Sequence, residues 1–373
     1  MKFAIKQNVL MEHLNYVIRG ISNKNLVPIL NCIKFDLNED GLYMISTDNN
    51  IVIRTLIDRT LILSIDESGS TVVAGRFIYD IINKLPNTII NIETDESGKL
   101  HIYTENSKFY LNCNDVNEFP LIDLDENDIC ININSNVFRN IINQISFASS
   151  TQESKPAWTG IDFDFKENKL VCTATDSYRL AKKEIILDQT LDKNYNLIIP
   201  TRNLKEMVHL LPDSDETVKM FVFDNKIIFK INNIVFLTSV INATFPDTSR
   251  IVPNEFKVSV IVNLNDFYSA IDRASLLSNN EEKNTITLET NGDIMKITSN
   301  VPEIGMVDEN VIIKNVNNSD ITISFSARFM MEAVKTFNAD EINLLFNGEV
   351  APIIIKNPGQ EDLTQLIVPI RTR

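Results

Sequence analysis

The stretch RFIYDIINKLP, Arg76–Pro86, decides how the rest of the sequence is interpreted. Apolar residues recur in it at positions i, i+3, i+4 and i+7, the spacing of one buried face on a short helix. The same pattern returns in RNLKEMVHLLP, Arg202–Pro212, and in RFMMEAVKTFN, Arg328–Asn338. Each stretch begins 126 residues after the one before it, which indicates a threefold internal repeat. The shared apolar positions hold Ile78, Ile81, Ile82 and Leu85, then Leu204, Met207, Val208 and Leu211, then Met330, Ala333, Val334 and Phe337.

Each repeat has a second amphipathic helix nearer its start. Its apolar positions hold Leu10, His13, Leu14 and Val17, then Phe138, Ile141, Ile142 and Ile145, then Phe267, Ala270, Ile271 and Ala274. About eight short runs of strand-type sequence accompany the helices in each repeat. The polar joins PLIDLDEND and PDTSRIVPNE separate the copies. We therefore predict an α+β fold of three repeated domains, 1–125, 126–253 and 254–373, each with two helices on antiparallel sheets.

Composition and cysteine use favour a soluble cytoplasmic protein. The 373 residues are 44% hydrophobic and 23% charged, which is ordinary for a globular chain. No apolar run approaches the ~18 residues of a membrane span, and the first residues, MKFAIKQNVLMEH, lack the apolar core of a secretion signal. The four cysteines show neither CxxC spacing nor a disulfide framework. We expect a cytoplasmic location and no membrane partner.

The net charge of −15 argues against simple nucleic-acid binding, which normally uses a basic surface. The charge is unevenly distributed, however. The six helical segments carry +4 in total and the remainder of the chain carries −19. If the helices share one face, that face is mildly basic. The alternative is that each helix keeps a few Lys and Arg residues for solubility.

Helix dimensions show what a wall of such helices would enclose. Six helices, each about 10 Å wide, give a circumference of roughly 60 Å and a hole of about 9 Å. Duplex DNA is roughly 20 Å across, so one chain is too small to encircle it. Twelve helices give a hole of about 28 Å, and two chains joined head to tail close such a ring. A closed ring stays on DNA by topology, so a weakly charged lumen allows sliding.

Four motifs carry a family resemblance that runs over the whole chain. They are TATDSYRLA (Thr173–Ala181), TFPDTSRIVP (Thr244–Pro253), LVPIL (Leu26–Leu30) and IVPIR (Ile367–Arg371). The sequence resembles the bacterial DNA sliding clamp, the beta subunit of DNA polymerase III. The resemblance implies a homodimeric ring of six similar domains, with helices inside around double-stranded DNA. It also implies a DNA polymerase processivity factor without catalytic activity, metal ligands or cofactor.

The family's partners, carried over by resemblance, bind one groove. They are the replicative polymerase catalytic subunit, the clamp loader that opens the ring, and translesion polymerases and repair proteins. Each inserts a short peptide, with a Gln and one or two bulky apolar residues, between the second and third domains. The matched positions here are Trp158, Thr175, Ser177, Tyr178, Arg179, Leu180, Pro246, Arg250, Ile251, Val368, Pro369, Ile370 and Arg371.

The groove departs from the family pattern at two places. Ser177 and Tyr178 stand where Gly-His is usual, so a positive φ is less free there. Trp158 stands where Leu is more common, which would reshape the cleft. These departures bear on which peptides are preferred. We interpret Arg179 with Asp176 as an ion pair that orders a turn, not as a catalytic pair.

The resemblance also supplies DNA and dimer contacts. The candidate DNA-binding residues are Lys24, Arg76, Gln152 and Arg202. The alternative for the arginines is contact with their own domain. The candidate dimer contacts are Phe109 and Leu111 of one chain against Leu276 and Leu277 of the other, and the alternative is that all four are plain core.

Two other classes of protein remain as rivals. A scaffold of three α+β repeats would bind peptides through the same groove but never encircle DNA. A hydrolase would use the acidic surface to hold a metal ion, although no residue cluster in the sequence predicts one. Retention on circular DNA separates the first rival from a clamp, and metal-dependent turnover would identify the second.

Overall fold

The structure is a computed structural model that describes residues 1–22, 26–127, 129–278 and 284–371. All six helices predicted from the apolar stripes are present. They are α1 (Gln7–Val17), α2 (Gly75–Lys84), α3 (Ser135–Ile145), α4 (Thr201–Val208), α5 (Leu264–Ser278) and α6 (Ala327–Val334). Among the described residues, no helix is long and apolar enough to cross a membrane.

Short strands make up most of the remaining chain, and their pairings are antiparallel. The first third contains β1 (Lys2–Lys6), β2 (Cys32–Leu37), β3 (Gly41–Thr47), β4 (Ile51–Asp58), β5 (Ile62–Glu67), β6 (Gly69–Ala74), β7 (Ile89–Thr94), β8 (Lys99–Tyr103) and β9 (Lys108–Asn114). The middle third contains β10 (Cys130–Asn134), β11 (Gly160–Lys166), β12 (Lys169–Thr175), β13 (Arg179–Ile186), β14 (Tyr195–Pro200), β15 (Thr217–Val222), β16 (Lys226–Ile231) and β17 (Ile234–Ser239). The last third contains β18 (Val258–Asn263), β19 (Thr285–Asn291), β20 (Ile294–Val301), β21 (Gly305–Asn315), β22 (Thr322–Ser326), β23 (Glu341–Phe346), β24 (Ile353–Asn357) and β25 (Gln360–Ile367).

The chain divides into two compact units, each organised by one long sheet. Unit 1 comprises Met1–Phe138 with Asn203–Val240, and unit 2 comprises Arg139–Arg202 with Ile241–Arg373. The sheet of unit 1 has the order β10-β15-β16-β17-β4-β3-β2-β6-β9-β8-β7-β1-β5. The sheet of unit 2 has the order β14-β11-β12-β13-β25-β24-β23-β18-β21-β20-β19-β22.

Strand pairing explains why the middle third is shared between the two units. In unit 1, β17 of the middle third pairs with β4 of the first third. In unit 2, β13 of the middle third pairs with β25 of the last third. Each half of the middle third therefore continues the sheet of a neighbouring third.

The core of unit 1 lies where α1 packs against β3, β4 and α2. Leu10, Leu14 and Val17 are fully buried on the face that the sequence pattern predicted. Burial of each such side chain stabilises the fold by about 1.5–3 kcal/mol. His13 shares this face and is also buried, with its Nδ1 2.7 Å from Thr55 Oγ1.

The core of unit 2 includes the equivalent helix of the last third. Helix α5 packs against β19, β20, β21 and α6. Phe267, Ala270, Ile271 and Ala274 are fully buried, as the stripe predicted. The small side chains at two of these positions let the helix lie close to its neighbours.

Candidate functional site

A tight turn in unit 2 joins β12 to β13 and carries four predicted groove residues, Thr175, Ser177, Tyr178 and Arg179, together with Asp176. The Asp176 carboxylate accepts hydrogen bonds from the backbone N–H groups of Tyr178, at 2.9 Å, and Arg179, at 3.0 Å. The Thr175 hydroxyl donates to the Arg179 carbonyl at 2.7 Å. Ser177 has φ +79°, the left-handed conformation that glycine adopts most easily. The turn therefore forms with Ser at this position, and Tyr178 is exposed.

The Arg179 side chain contacts two carboxylates and two aromatic rings. Its guanidinium pairs with Asp176, at 2.9 Å, and with Glu332. The same group lies over the rings of Phe329, 4.4 Å from its centroid, and Phe147, 5.3 Å from its centroid. Cation–π contacts of this kind strengthen when the cation is removed from water. Arg179 thus orders the turn through an ion pair, as the sequence predicted.

An apolar cluster lies beside the turn in unit 2. Its buried members, which we call the groove floor, are Leu180, Leu345, Ile354 and Leu366. Val252, Phe256 and Val368 pack against them. The backbone N–H of Val368 donates to the Tyr178 carbonyl at 2.8 Å, which extends the β13–β25 pairing by one bond.

The structure brings two predicted groove residues, Leu180 and Val368, into this cluster. Sequence reasoning missed Leu345 and Ile354, which belong to β23 and β24. The sequences of β23 and β24, EINLLF and IIIKN, do not differ from those of ordinary core strands. Only the register, in which Leu366 pairs with both Leu180 and Ile354, places them beside the predicted residues.

The segment between β17 and β18 supplies Pro246, Arg250 and Ile251. Pro246 is half-buried, whereas Arg250 and Ile251 are exposed. The Asp247 carboxylate accepts from the backbone N–H of Ser249 at 2.9 Å and shapes the local turn. Hydrogen bonds from the Ser249 N–H and hydroxyl hold the pKa of Asp247 below its ordinary value.

The end of the described chain crosses between two elements of unit 2. Pro369 and Ile370 are half-buried and Arg371 is exposed. The Ile370 N–H donates to the Ser324 carbonyl of β22 at 2.7 Å. With the Val368 bond to Tyr178, this contact fixes the predicted groove positions 368–370 at both ends.

Trp158 is a predicted groove residue outside the groove floor cluster. It belongs to the short 3₁₀ segment Pro156–Thr159 and is half-buried. The Lys155 ammonium lies 3.8 Å from the Trp158 ring centroid, and the Ser150 N–H donates to the Trp158 carbonyl at 2.8 Å. Among the residues that the structure describes, the cluster around Leu180 does not include Trp158.

The predicted DNA-binding residues are solvent-facing where they are described. Arg76 and Arg202 are exposed in the first turns of α2 and α4. Gln152 is exposed in the segment after α3, and its N–H donates to Ser150 Oγ at 3.0 Å. Lys24 lies outside the described residues. Within the described ranges neither arginine forms an ion pair, so both guanidinium groups are available to a ligand.

The predicted dimer residues are partly exposed. Phe109 on β9 is 37% exposed and Leu276 on α5 is 67% exposed. Leu111 and Leu277 are half-buried. Plain core residues would be fully buried, so these four differ from the core around α1 and α5.

Strand β9 of unit 1 has an open edge. It pairs with β8 along Lys108–Asn112, but β6 on its other side reaches only Cys113 and Asn114. Among the residues that the structure describes, no strand pairs with the other side of residues 108–112. Phe109 and Leu111 lie on this open part of the strand.

Strand β21 of unit 2 has a matching open edge. It pairs with β20 along Gly305–Ile312, whereas β18 reaches only Ile313–Asn315. Helix α5, which carries Leu276 and Leu277, packs on β21. An exposed strand edge is a template for pairing with another chain.

The comparison with protein families covers nearly the whole chain. Residues 1–123 match the N-terminal domain of the DNA polymerase III beta subunit. Residues 132–247 match its central domain and residues 249–371 its C-terminal domain. The chain belongs to the DNA polymerase III beta subunit family. This membership favours the processivity-factor interpretation over the peptide-binding scaffold.

Full-length relatives agree with this assignment. The chain is 37% identical over 376 residues to the beta sliding clamp of Staphylococcus aureus strain COL, covering 100% of both proteins. The beta sliding clamp of Staphylococcus epidermidis is likewise 37% identical over 376 residues, with 100% of both chains covered.

Solved structures of beta subunits have the same fold. The DNA polymerase sliding clamp from Bacillus subtilis superposes with a TM-score of 0.96 at 34% identity, covering 100% of both chains. The DNA polymerase III beta chain from Streptococcus pneumoniae superposes with a TM-score of 0.94 at 30% identity, again covering 100% of both. The predicted sliding-clamp fold, with three domains of antiparallel sheets and few helices, is confirmed.

Proposed function

We propose that this beta subunit acts as a non-catalytic processivity factor, in which two chains form a ring around double-stranded DNA in the cytoplasm. The ring slides on the duplex and tethers the replicative polymerase to its template. Family membership supports this function. The observation that carries the dimer is the pair of open strand edges, one on β9 and one on β21.

Dimerisation in this proposal joins the two edges. The open part of β9 in one chain pairs with the open part of β21 in the second chain, which continues one antiparallel sheet across the contact. Phe109 and Leu111 then meet Leu276 and Leu277 of the partner chain. Their exposed apolar surface is removed from water, at about 25 cal/mol per Å² buried.

DNA binding in this proposal depends on position more than on strong charge. Lys24, Arg76, Gln152 and Arg202 face the duplex and contact phosphates. Contacts of this type are independent of sequence and weaken as salt rises. Because the ring is closed, weak contacts are enough to keep the chain on DNA and still permit sliding.

Partner proteins bind the groove of unit 2. The groove floor takes a bulky apolar side chain of a peptide, and the exposed side chains of Tyr178, Arg250 and Arg371 form its rim. The polymerase catalytic subunit, the clamp loader, translesion polymerases and repair proteins are the partners that we propose. A buried apolar anchor with a polar rim is the usual anatomy of such sites.

The mass of the particle in solution tests the dimer. Light scattering should give about 85 kDa, twice the 42.4 kDa of one chain. A mass of one chain across micromolar concentrations would contradict the proposal. Retention on circular DNA tests encirclement separately.

A further inference from the structure

Unit 1 contains a turn that repeats the groove turn of unit 2. In Thr47–Ile51, the Thr47 hydroxyl donates to the Ile51 carbonyl at 2.7 Å. Asp48 Oδ1 accepts from the N–H groups of Asn50 and Ile51, both at 3.0 Å. Asn49 has φ +75°, close to the +79° of Ser177. The turn before β4 thus has the hydrogen bonds and the backbone of the turn before β13.

The strand register extends this equivalence to the groove floor. In unit 2, Leu180 pairs with Leu366, Leu366 with Ile354, and Ile354 with Leu345. In unit 1, the same steps lead from Val52 to Leu237, then to Ile228, and then to Phe221. We call Val52, Phe221, Ile228 and Leu237 the unit 1 floor. Phe221, Ile228 and Leu237 belong to one apolar cluster, as their counterparts do.

A crevice lies beside the unit 1 floor. It is lined by Arg54 and the segment 121–126. Leu124 of this segment packs on the cluster that contains Phe221, and Ile122 packs on a second cluster around Phe119. The segment thus contacts two apolar clusters, and the crevice lies between the segment and Arg54.

Ion pairs hold the segment in place over the sheet. Lys226 pairs with Asp123 at 2.8 Å, and Lys230 pairs with Glu126. Lys226 also donates to the Asp123 carbonyl at 3.0 Å. The crevice therefore has one fixed wall, in the way that the segment carrying Val252 and Phe256 forms a wall beside the groove floor.

Arg54 is the cationic residue in the lining of the crevice. Its guanidinium is half-buried and lies 5.6 Å from the ring centroid of Tyr43. In the described part of the chain it forms no ion pair. Of the three carboxylates that line the crevice, Asp123 and Glu126 pair with lysines, and Asp125 is the third. A guanidinium on a protein surface binds a carboxylate through two parallel hydrogen bonds.

We propose that unit 1 carries a second peptide-docking site at this crevice, for a peptide with a bulky aliphatic side chain and a nearby carboxylate. The aliphatic side chain lies against Leu124 and Leu237, and the carboxylate binds Arg54. The inference rests on the proposed groove of unit 2, because the equivalence to that groove suggests peptide binding here.

The two sites differ in ways that separate their ligands. Asn50 takes the position of Tyr178 and Ser239 takes that of Val368, because the Ser239 N–H donates to the Asn50 carbonyl at 3.2 Å as the Val368 N–H donates to the Tyr178 carbonyl at 2.8 Å. The unit 1 site therefore lacks the aromatic side chain of Tyr178 and the aliphatic side chain of Val368, and it takes a smaller peptide. The Arg54 guanidinium also favours a peptide with a carboxylate, because a neutral peptide cannot form the charged hydrogen bonds.

Methyl NMR of the full-length protein tests the site with two probes. The first is acetyl-Gln-Leu-Asp-Leu-amide, and the second replaces its Asp with Asn. We expect the first probe to shift the methyl resonances of Leu124 and Leu237 in unit 1 and of Leu366 in unit 2. The Asn probe and the variant Arg54→Gln both remove the charged hydrogen bonds. Each should weaken the affinity of the unit 1 site, measured from its methyl shifts, about tenfold. The matched variant Lys84→Gln, which removes another unit 1 cation, should leave it unchanged.

Each outcome decides between the two proposals. If Leu366 shifts while Leu124 and Leu237 do not, the second site is wrong and the groove stands. A unit 1 response that is the same in Arg54→Gln and with the Asn probe also overturns the site. If none of the three resonances responds, the groove of unit 2 fails and the second site fails with it.

Discussion

Arg179 is the residue whose surroundings most constrain the groove, because two carboxylates and two aromatic rings depend on it. Removing its charge would leave Asp176 facing the protein without a cation. We expect Arg179→Gln to lower the free energy of unfolding by about 2 kcal/mol, the usual scale for hydrogen bonds to charged groups. Urea unfolding measures the loss. The exposed Arg250→Gln is the control and should change stability by less than about 0.5 kcal/mol.

His13 gives the stability of unit 1 a dependence on pH. Burial lowers its pKa below the ordinary value of 6.5. The unfolded chain therefore takes up a proton at a higher pH than the folded chain does, so the stability that neutral His13 contributes is complete above pH 6.5 and is lost as the pH falls below it. Between pH 7.5 and 5.5 the loss should be no more than about 1.4 kcal/mol, the limit for a folded state that takes up no proton in this range.

The control for this prediction is His13→Gln, compared with the unmodified protein at both pH values. Asp162 acts in the opposite direction, because burial raises its pKa to about 6 and the folded state gains a proton as the pH falls. Asp162 is present in both proteins, so its contribution cancels in the difference. An equal pH dependence in the two proteins would show that His13 does not titrate as described.

Trp158 is the residue most open to a functional test. We expect Trp158→Ala to weaken binding of a labelled peptide with a Gln and two bulky apolar residues by about tenfold, because a large aromatic contact is lost. Fluorescence anisotropy measures the affinity. Light scattering should show an unchanged dimer. Unchanged affinity would contradict the assignment of Trp158 to the groove.

Single groove residues were only partly predictable from sequence. Leu180 and Val368 stand in motifs that made them candidate groove residues, and both lie in the Leu180 cluster. Leu345 and Ile354 carry no such motif, since their role depends on pairing between strands that are distant along the chain. Ser177 was expected to disfavour a positive φ, yet the Asp176 and Thr175 hydrogen bonds hold that conformation.

At the scale of elements, the helices were the most predictable part of the fold. The stretch Arg76–Pro86 predicted a helix, and α2 spans Gly75–Lys84. Helix periodicity is local, so a short window of sequence contains it. The open edges of β9 and β21 were not predictable, because they depend on where β6 and β18 stop pairing.

The open edges lead to a prediction about dimerisation. Leu276→Asp places a charge on the exposed apolar surface of α5, and burying that charge at a contact between chains is costly. We expect the mass in solution to fall from about 85 to about 42 kDa at micromolar concentration. Val350→Asp, at another exposed apolar residue of unit 2, should remain dimeric. A dimer that survives Leu276→Asp would contradict the proposed contact.

At the scale of the whole molecule, the threefold repeat accounts for both the shared middle third and the duplicated turn. The pairings β17–β4 and β13–β25 are two copies of one junction between neighbouring thirds. Side chains at equivalent positions have diverged, with Asn50 and Tyr178 as one example. One duplicated junction thus provides two chemically different surfaces on the same chain.

Encirclement makes a prediction that simple binding does not. After the clamp loader has loaded it onto nicked circular DNA, the protein should remain bound in 0.5 M salt. At this salt concentration, an affinity that depends on phosphate contacts alone falls about a thousandfold or more. Cutting the circle should release it, because the ring then slides off the ends. The double variant Arg76→Gln, Arg202→Gln should load more slowly but stay on the closed circle as long as the unmodified protein. Loss at high salt from the intact circle would instead favour a scaffold that binds DNA, if at all, only through charge.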